Sequence, residues 1–191
     1  RVRVAVDPRG MPARDDDGIV IVNTQSRALD ARVAYARVRD TLGVRRAPVV
    51  LKKIDTALRG HLGAELDGAL DALDAPAFVL AAIPAAGRVT RGGCQWFGDR
   101  WLADTEFARD PEGAGAESSI PAVLARESRR RTAVIGREVV KAGRFAEVVA
   151  RHRGEDVDIF VVDAESDDDV GAAVAAILSL SRPVCLVGSI A

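Results

Sequence analysis

The chain has 191 residues, of which 48% are hydrophobic and 29% charged, so it has enough apolar side chains to fold around a core. Its 27 basic and 28 acidic residues give a formal net charge of −1, which excludes a general electrostatic pull toward nucleic acid or an anionic membrane. Cys94 and Cys185 are far apart and lie in no metal-ligand motif, so we expect no disulfide framework, no zinc site and a cytoplasmic location.

Strand and helix patterns alternate along the first part of the chain. The short apolar run at 19–23 predicts a strand that is buried on both faces of a parallel sheet. Ser26 and Asp30 are the two candidates for the N-cap of the helix that follows. The predicted elements are strands over RVRVAV (1–6), IVIVN (19–23), PVVLKKI (48–54) and AFVLAAI (77–83), and helices over about 29–42 and 58–73.

The alternation then stops for a long glycine-rich excursion over 84–119. Within it, the segment CQWFGDRWLA predicts a β-hairpin that has Gly98 and Asp99 in the turn and a tryptophan on each arm. Loops of this length inside a compact domain usually carry a function or are disordered.

Alternation resumes after the excursion. The predicted elements are helices over about 120–129, 137–152 and 167–180, and strands over TAVIG (132–136), VDIFVVDA (157–164) and PVCLVGS (183–189). This order predicts an α/β fold with a mostly parallel sheet that is interrupted by the hairpin excursion.

The stretch Leu51–Leu70, LKKIDTALRGHLGAELDGAL, concentrates charge where a strand gives way to a helix. Lys53 and Asp55 point to the same side of an extended strand, at the carboxyl end where open α/β sheets bind ligands. Arg59 and Gly60 lie near the start of the predicted helix, where free N–H groups favour an anion and the arginine can grip a carboxylate. These groups suit a small polyhydroxy acid; the alternative is a solvated turn in which Asp55 caps the helix.

Two other predicted strand ends carry an arginine. Arg27, in NTQSR, and Arg88, in IPAAGRVTRGG, would converge on the same edge if their strands are neighbours, and the glycines there permit a close approach of a ligand. The alternative for Arg27 is a polar cap before a helix. For His61 we expect a polar residue at a helix start, because no catalytic partner lies beside it in the sequence.

The strongest basic run is ARESRRR at 125–131. We interpret it as a solvated helix end, where cations are favoured by the helix dipole. Nucleic-acid binding is the alternative, although the run contains no aromatic residue on which bases could stack. The chain has no GxxxxGK[ST] segment for a nucleotide phosphate.

Four segments, in this order, resemble the N-terminal, sugar-acid-binding domain of the four-carbon acid sugar kinase family: LKKIDTALRGHLGAELDGALDAL, IPAAGRVTRGG, LADTEFARDP and ESSIPAVL. The resemblance extends from IVIVNTQSR to VCLVGS. It implies a three-layer, Rossmann-like α/β/α fold that holds the acid. It also implies ATP-dependent phosphorylation of an erythronate, threonate or oxo-tetronate, with ATP and Mg²⁺ bound mainly by a second, C-terminal domain.

Carried over by position, the resemblance implies a set of substrate-binding residues, with Asp55 also as the catalytic candidate: Arg27, Lys53, Asp55, Arg59, Gly60, Arg88 and Glu106. Three features depart from the family pattern. The acidic DDxTGA-type block is absent, so an aspartate outside this chain is the other candidate base. Thr56 and Ala57 stand where a Ser-Thr pair is usual, and His61 replaces a usual Asn, which we expect to alter substrate choice.

We therefore expect residues 1–191 to be the N-terminal substrate-binding domain of a two-domain kinase, without its first strand and acidic block and without its nucleotide domain. We expect it to be inactive alone and to bind a small sugar acid, with no nucleic-acid or membrane partner and a possible homo-oligomeric state. The alternative is a stand-alone module that binds or senses a sugar acid without catalysis.

Overall fold

Ten strands and six α-helices make up the part of the chain that a computed structural model describes, which comprises residues 2–5, 19–44, 47–110, 117–181 and 183–189. The strands are β1 Val2–Ala5, β2 Ile19–Val22, β3 Val49–Lys53, β4 Ala77–Leu80, β5 Arg88–Arg91, β6 Cys94–Phe97, β7 Arg100–Trp101, β8 Arg131–Ile135, β9 Val157–Val162 and β10 Val184–Gly188. The helices are α1 Ala31–Gly43, α2 Leu62–Leu73, α3 Ile120–Ala125, α4 Arg137–Lys141, α5 Phe145–Arg153 and α6 Asp167–Leu178.

Five of the strands form one parallel sheet in the order β3-β10-β4-β9-β8. Because every pair is parallel, the carboxyl ends of all five strands lie along one edge. Helices cover both faces. The core on one face is built with α2 and α3, and the core on the other face is built with α4, α5 and α6. The structure thus confirms the predicted three-layer, Rossmann-like α/β/α architecture.

Helix α2 lies at the centre of one layer and is buried from Leu62 through Leu70. Its close contact with α1 depends on Gly68, because a Cβ added there would lie 2.4 Å from the carbonyl oxygen of Tyr35. The helix begins at Leu62, four residues later than predicted, since a tight turn precedes it. In that turn the N–H of Leu58 donates to the carbonyl of Asp55 (3.0 Å), and Leu58 takes a left-handed φ of 55°.

The excursion folds into a small antiparallel sheet, β5-β6-β7, that joins the carboxyl edge of the main sheet. Thr90 in β5 exchanges backbone hydrogen bonds with Ala164, which follows β9. The buried side chain of Gln95 donates to the carbonyl of Ala81, just after β4 (3.1 Å). The predicted hairpin is confirmed, with Trp96 opposite Trp101.

Two other expectations are wrong. The apolar strand β2 pairs with β1 in a separate two-stranded parallel sheet, and Ile19 and Ile21 are 63% and 50% exposed rather than buried on both faces. The predicted helix over 137–152 is two helices, α4 and α5, because the chain turns at Ala142 and Gly143. Asp30 rather than Ser26 is the N-cap of α1, and its side chain accepts from the N–H of Arg32 (2.9 Å).

Across the described ranges, none of the helices has the length and apolar composition needed to cross a membrane. In the same ranges both cysteines are free, and no group of three or more His, Cys, Asp or Glu residues could hold a metal ion.

Candidate functional site

Three chain segments meet beyond the carboxyl end of β3, and Arg59 lies among them. Its Nε donates to Asp55 Oδ2 in the turn that follows the strand. Its NH1 nitrogen donates to Asp110 Oδ2 at 3.1 Å, across 51 residues of sequence. Arg59 therefore already binds two carboxylates. A ligand acid that binds the terminal nitrogens of the guanidinium group would lie next to Asp110.

Asp55 uses both of its oxygens within the turn. Oδ1 accepts from the N–H of Ala57 (3.2 Å), while Oδ2 accepts from Arg59. Burial alone would raise the pKa of Asp55, but these hydrogen bonds and the nearby charges of Arg59 and Arg27 outweigh burial and hold the pKa below its usual range. The carboxyl group is thus ionised and is a weak proton acceptor.

Arg27 lies on the same side of the molecule as Arg59. Gly60 has a φ of +88°, which favours glycine, and a Cβ added there would lie 3.5 Å from Arg27 Cγ. The charge of Arg27 also contributes to the low pKa of Asp55. Arg27 is exposed and, among the described residues, no carboxylate lies within ion-pair distance of it, so its charge can bind an acid ligand.

Arg88 reaches the same turn from the excursion. Its guanidinium donates to the hydroxyl of the buried Thr56, and it lies 4.8 Å from the ring centroid of Phe97 and 5.7 Å from that of Phe107. Stacking on aromatic rings fixes the plane of the guanidinium while leaving part of its hydrogen-bonding edge free. The predicted ground for this convergence, neighbouring strands of one parallel sheet, is wrong, because β2 and β5 belong to other sheets. Sequence reasoning also missed Thr56, Phe97, Phe107 and Asp110 as neighbours of the arginines.

The structure brings two of the predicted residues into other surroundings. Lys53 is exposed, and none of the described ion pairs joins it to Asp55. Its neighbour Lys52 points instead toward α2 and forms a largely buried ion pair with Glu65. Glu106 is exposed and lies 3.7 Å from Arg100, at the rim of the small sheet. Within the segment TEFARDP, the residues that contact the arginines of this site are Phe107 and Asp110.

The glycine-rich turn after β5 is occupied by a side chain of the protein itself. The backbone N–H groups of Gly92 and Gly93 donate to the carboxylate of Asp163, at 2.7 and 2.9 Å. Burial raises the pKa of Asp163, with a smaller contribution from Glu138 and Glu165. These two N–H groups therefore anchor the small sheet to the end of β9, and they are not available to a ligand.

We predicted that the basic run ARESRRR is a solvated helix end. In the structure, its Arg129 and Arg130 instead belong to an ion-pair network that joins them to α2 and β9. The NH2 nitrogen of Arg129 and that of Arg130 both donate to Asp71, and Arg130 NH1 donates to Asp158 at 2.7 Å. The buried Asp67 accepts from the hydroxyl of Ser128 at 2.6 Å. These arginines brace the helix layer against the sheet.

His61 precedes α2 and links two other segments. Its Nδ1 lies 2.8 Å from Glu127 Oε1, beyond the end of α3, and its Nε2 is hydrogen-bonded to the carbonyl oxygen of Leu29. The hydrogen bond and charge of Glu127 raise the pKa of His61, while partial burial opposes the increase. His61 does lie at the start of a helix, as predicted, and it also has a carboxylate neighbour that the sequence did not indicate.

The whole chain matches a known family. Residues 2–191 match the model of the sugar-binding N-terminal domain. Curated relatives include D-threonate kinases of Salmonella typhimurium (34% identical over 175 residues, 89% of this chain and 41% of the relative) and Bordetella bronchiseptica (36% over 183 residues, 93% and 43%). A D-erythronate kinase of Heliobacterium modesticaldum is 33% identical over 160 residues, 80% of this chain and 36% of the relative.

Solved structures agree with this assignment. A Bordetella bronchiseptica protein crystallised with bound citrate as a domain-swapped dimer is 32% identical, has a TM-score of 0.81, and is matched over 98% of this chain and 48% of its own. A Salmonella typhimurium protein described as a putative tRNA synthase shares the fold, with a TM-score of 0.86 over 98% of this chain and 47% of its own, at 16% identity.

The chain spans less than half the length of the curated relatives. Family match and solved structures together show that it belongs to the sugar-binding N-terminal domain family, the part that it shares with the D-threonate and D-erythronate kinases.

Proposed function

We propose that this domain holds a four-carbon sugar acid at the carboxyl end of β3, within a kinase that phosphorylates the acid with ATP. One observation carries the proposal: three arginines from separate segments meet around one turn, where the described residues supply two carboxylates, Asp55 and Asp110. The surplus positive charge suits a small carboxylate ligand. The names of the curated relatives, and the citrate bound by the Bordetella protein, support the same ligand class.

Each arginine has a distinct role in this proposal. Arg27 binds the ligand carboxylate, because it is exposed and no carboxylate among the described residues lies within ion-pair distance of it. Arg59 shares the ligand carboxylate from the side, with its Nε fixed by Asp55. Arg88, fixed between Thr56 and two aromatic rings, binds ligand hydroxyls. Lys53 and Glu106 remain predictions as substrate-binding residues.

Asp55 positions Arg59 rather than removing a proton from the substrate. Both of its oxygens accept hydrogen bonds, and its low pKa makes it a weak base. It still orients a substrate hydroxyl as an acceptor, which is the kind of contribution that phosphoryl transfer requires from a protein. We therefore assign the general base to a carboxylate outside this cluster.

ATP and Mg²⁺ are assigned to the remaining length of the protein. Among the described residues, no cluster of acidic, His or Cys side chains fits a metal ion, and the sequence has no phosphate-binding GxxxxGK[ST] loop. We therefore derive no step through Mg²⁺ from this domain. The contribution of the domain is to bind and orient the acid.

The test uses the full-length protein with ATP, Mg²⁺ and either D-threonate or D-erythronate. Arg59→Ala should lower kcat/KM by at least about 100-fold, because it removes a charged hydrogen bond to the ligand and leaves Asp55 and Asp110 facing the acid. The matched control is Arg151→Ala, an exposed arginine on α5, which should change kcat/KM less than twofold.

Near-normal turnover of Arg59→Ala would refute the site. Tight binding of an acid without any ATP turnover in the full-length wild type would instead support the alternative of a sensing module. Calorimetric titration of the wild type, Arg59→Ala and Arg151→Ala with the acid measures binding without turnover and so separates these outcomes.

A further inference from the structure

His61 links three separate segments of the chain. It is the N-cap residue of α2, it lies 2.8 Å from Glu127 beyond α3, and it binds the carbonyl of Leu29 in the turn before α1. The two segments that it links lie 32 and 66 residues away in the sequence.

The turn that His61 binds is the one that carries Arg27. The N–H of Leu29 donates to the carbonyl of Ser26 at 3.1 Å and so closes the turn around Arg27. Gly60, directly before His61, contacts the Arg27 side chain. The Arg27 turn is therefore held at two adjacent points, by the packing of Gly60 and by the hydrogen bond of His61.

Both contacts of the ring are with acceptors. A carbonyl oxygen and a carboxylate each need an N–H, and only the imidazolium form carries an N–H on both nitrogens. When the proton is lost, a single N–H remains, and either Leu29 or Glu127 loses its donor. The bridge is complete only in the charged form.

We propose that His61 is a positioning residue whose proton sets the affinity of the acid site, because only the doubly protonated ring holds the Arg27 turn against α2 and Glu127. The inference rests on the proposed function, in which Arg27 binds the ligand carboxylate. It adds a pH-dependent control to the same site.

The charged groups around the ring give the direction of the effect. Glu127 beyond α3 and Glu65 in α2 favour the imidazolium, although Glu65 is itself paired with Lys52 of β3; Arg27 is a cation on the adjoining turn. The pKa of His61 is therefore raised, and the bridge is present below that pKa and lost as the pH rises through it. Carboxylate and guanidinium groups in general do not change their charge over this range.

The experiment measures D-threonate affinity of the full-length protein by calorimetry between about pH 6 and pH 9, around the titration of histidine. We expect the wild type to lose about fivefold in affinity as the pH rises, the effect of one hydrogen bond. His61→Asn should bind at the weaker level with a flat profile. His152→Asn is the matched control, because His152 lies on α5 and pairs with Glu155 just after that helix. This variant should keep the wild-type dependence of acid affinity on pH.

Two further measurements keep the outcome decisive. Glu127→Gln should move the wild-type transition to lower pH, because it removes the charge that stabilises the imidazolium. Hydrogen exchange at the Leu29 amide, corrected for its intrinsic rate, should be faster in His61→Asn than in the wild type at pH 6, whether or not an acid binds.

Identical pH profiles for wild type and His61→Asn would overturn the inference. If no sugar acid binds to any variant, the proposed function falls, and the exchange at Leu29 alone decides the role of His61. Unchanged exchange in His61→Asn would then overturn it, and faster exchange would support it.

Discussion

The acid site and the ion-pair network on α2 are both rich in arginine, but their charges balance differently. In the network, three arginines meet three carboxylates: Arg129, Arg130 and Arg153 with Asp67, Asp71 and Asp158. At the acid site, three arginines meet two carboxylates: Arg27, Arg59 and Arg88 with Asp55 and Asp110. Counted over the residues that the structure describes, the network is neutral within itself, whereas the site has a surplus of positive charge.

This difference teaches that a dense run of charge in a sequence does not identify a binding site. ARESRRR is the most basic run in the chain, yet its Arg129 and Arg130 form ion pairs with carboxylates of α2 and β9. Arg27 stands alone in its segment and keeps its charge available. A binding site is marked by cations that the fold leaves without a matching carboxylate.

The largest effect should come from breaking the network at its buried member. The side chain of Asp67 is 5% exposed and accepts from the Ser128 hydroxyl and from the N–H of Arg129. Asp67→Ala leaves two part-buried hydrogen bonds without their acceptor and the Arg129 and Arg130 charges without a buried partner, and should lower the free energy of unfolding by roughly 2–4 kcal/mol. Urea unfolding measures this change, and acid affinity should stay within twofold if the two regions are independent.

The control for this variant is Asp40→Ala on α1. Asp40 pairs with the adjacent Arg39 at the surface, where solvent screens the pair, so this variant should unfold close to the wild-type urea midpoint. A loss for Asp67→Ala as small as that of Asp40→Ala would show that the network adds little to stability. A large loss of acid affinity in Asp67→Ala would show that the two regions are coupled.

A smaller effect is expected when one negative charge is removed from the acid site. Asp110 lies beside the outer fork of Arg59, where a ligand carboxylate would be repelled by it. Asp110→Asn keeps the shape of the side chain, removes this repulsion, and should raise acid affinity by about three- to tenfold. Calorimetry at low and high salt measures it, since the gain should shrink when charges are screened. A weaker affinity in this variant would mean that Asp110 serves to orient Arg59.

The smallest effect concerns acid unfolding of the network. Burial would raise the pKa of Asp71, but hydrogen bonds from Tyr35, Arg129 and Arg130 lower it from 3.8 to about 2. Because this pKa is lower in the folded protein than in the unfolded chain, the ionised carboxylate stabilises the fold above the pKa of the unfolded chain. That stabilisation is lost as the pH falls from about 4 to 2. After screening by solvent, we expect a contribution of about 1 kcal/mol or less.

Asp71→Asn should make the urea midpoint less sensitive to pH over that interval. An equal slope in the variant and the wild type would place the acid sensitivity of the protein elsewhere.

The sequence by itself determined the α/β class, the alternation of elements and the arginine-bearing strand ends. These features depend on local patterns, such as the apolar run at 77–83 and the turn residues at Gly98 and Asp99. Parallel pairing places the carboxyl ends of the five main strands at one edge. It does not account for Arg27, which follows β2 in a separate two-stranded sheet, or for Arg88, which lies in the small antiparallel sheet. The roles of Arg27, Arg59 and Arg88 as ligand residues remain predictions on that basis.

Only the tertiary structure decided which charges are already neutralised. The pairing of Arg59 with Asp110 spans 51 residues, and that of His61 with Glu127 spans 66, so no local pattern can show them. The same holds for Asp163, whose carboxylate occupies the glycine turn that sequence reasoning left open to a ligand. Charge in a sequence is counted residue by residue, whereas free charge depends on the partners that folding brings within hydrogen-bonding distance.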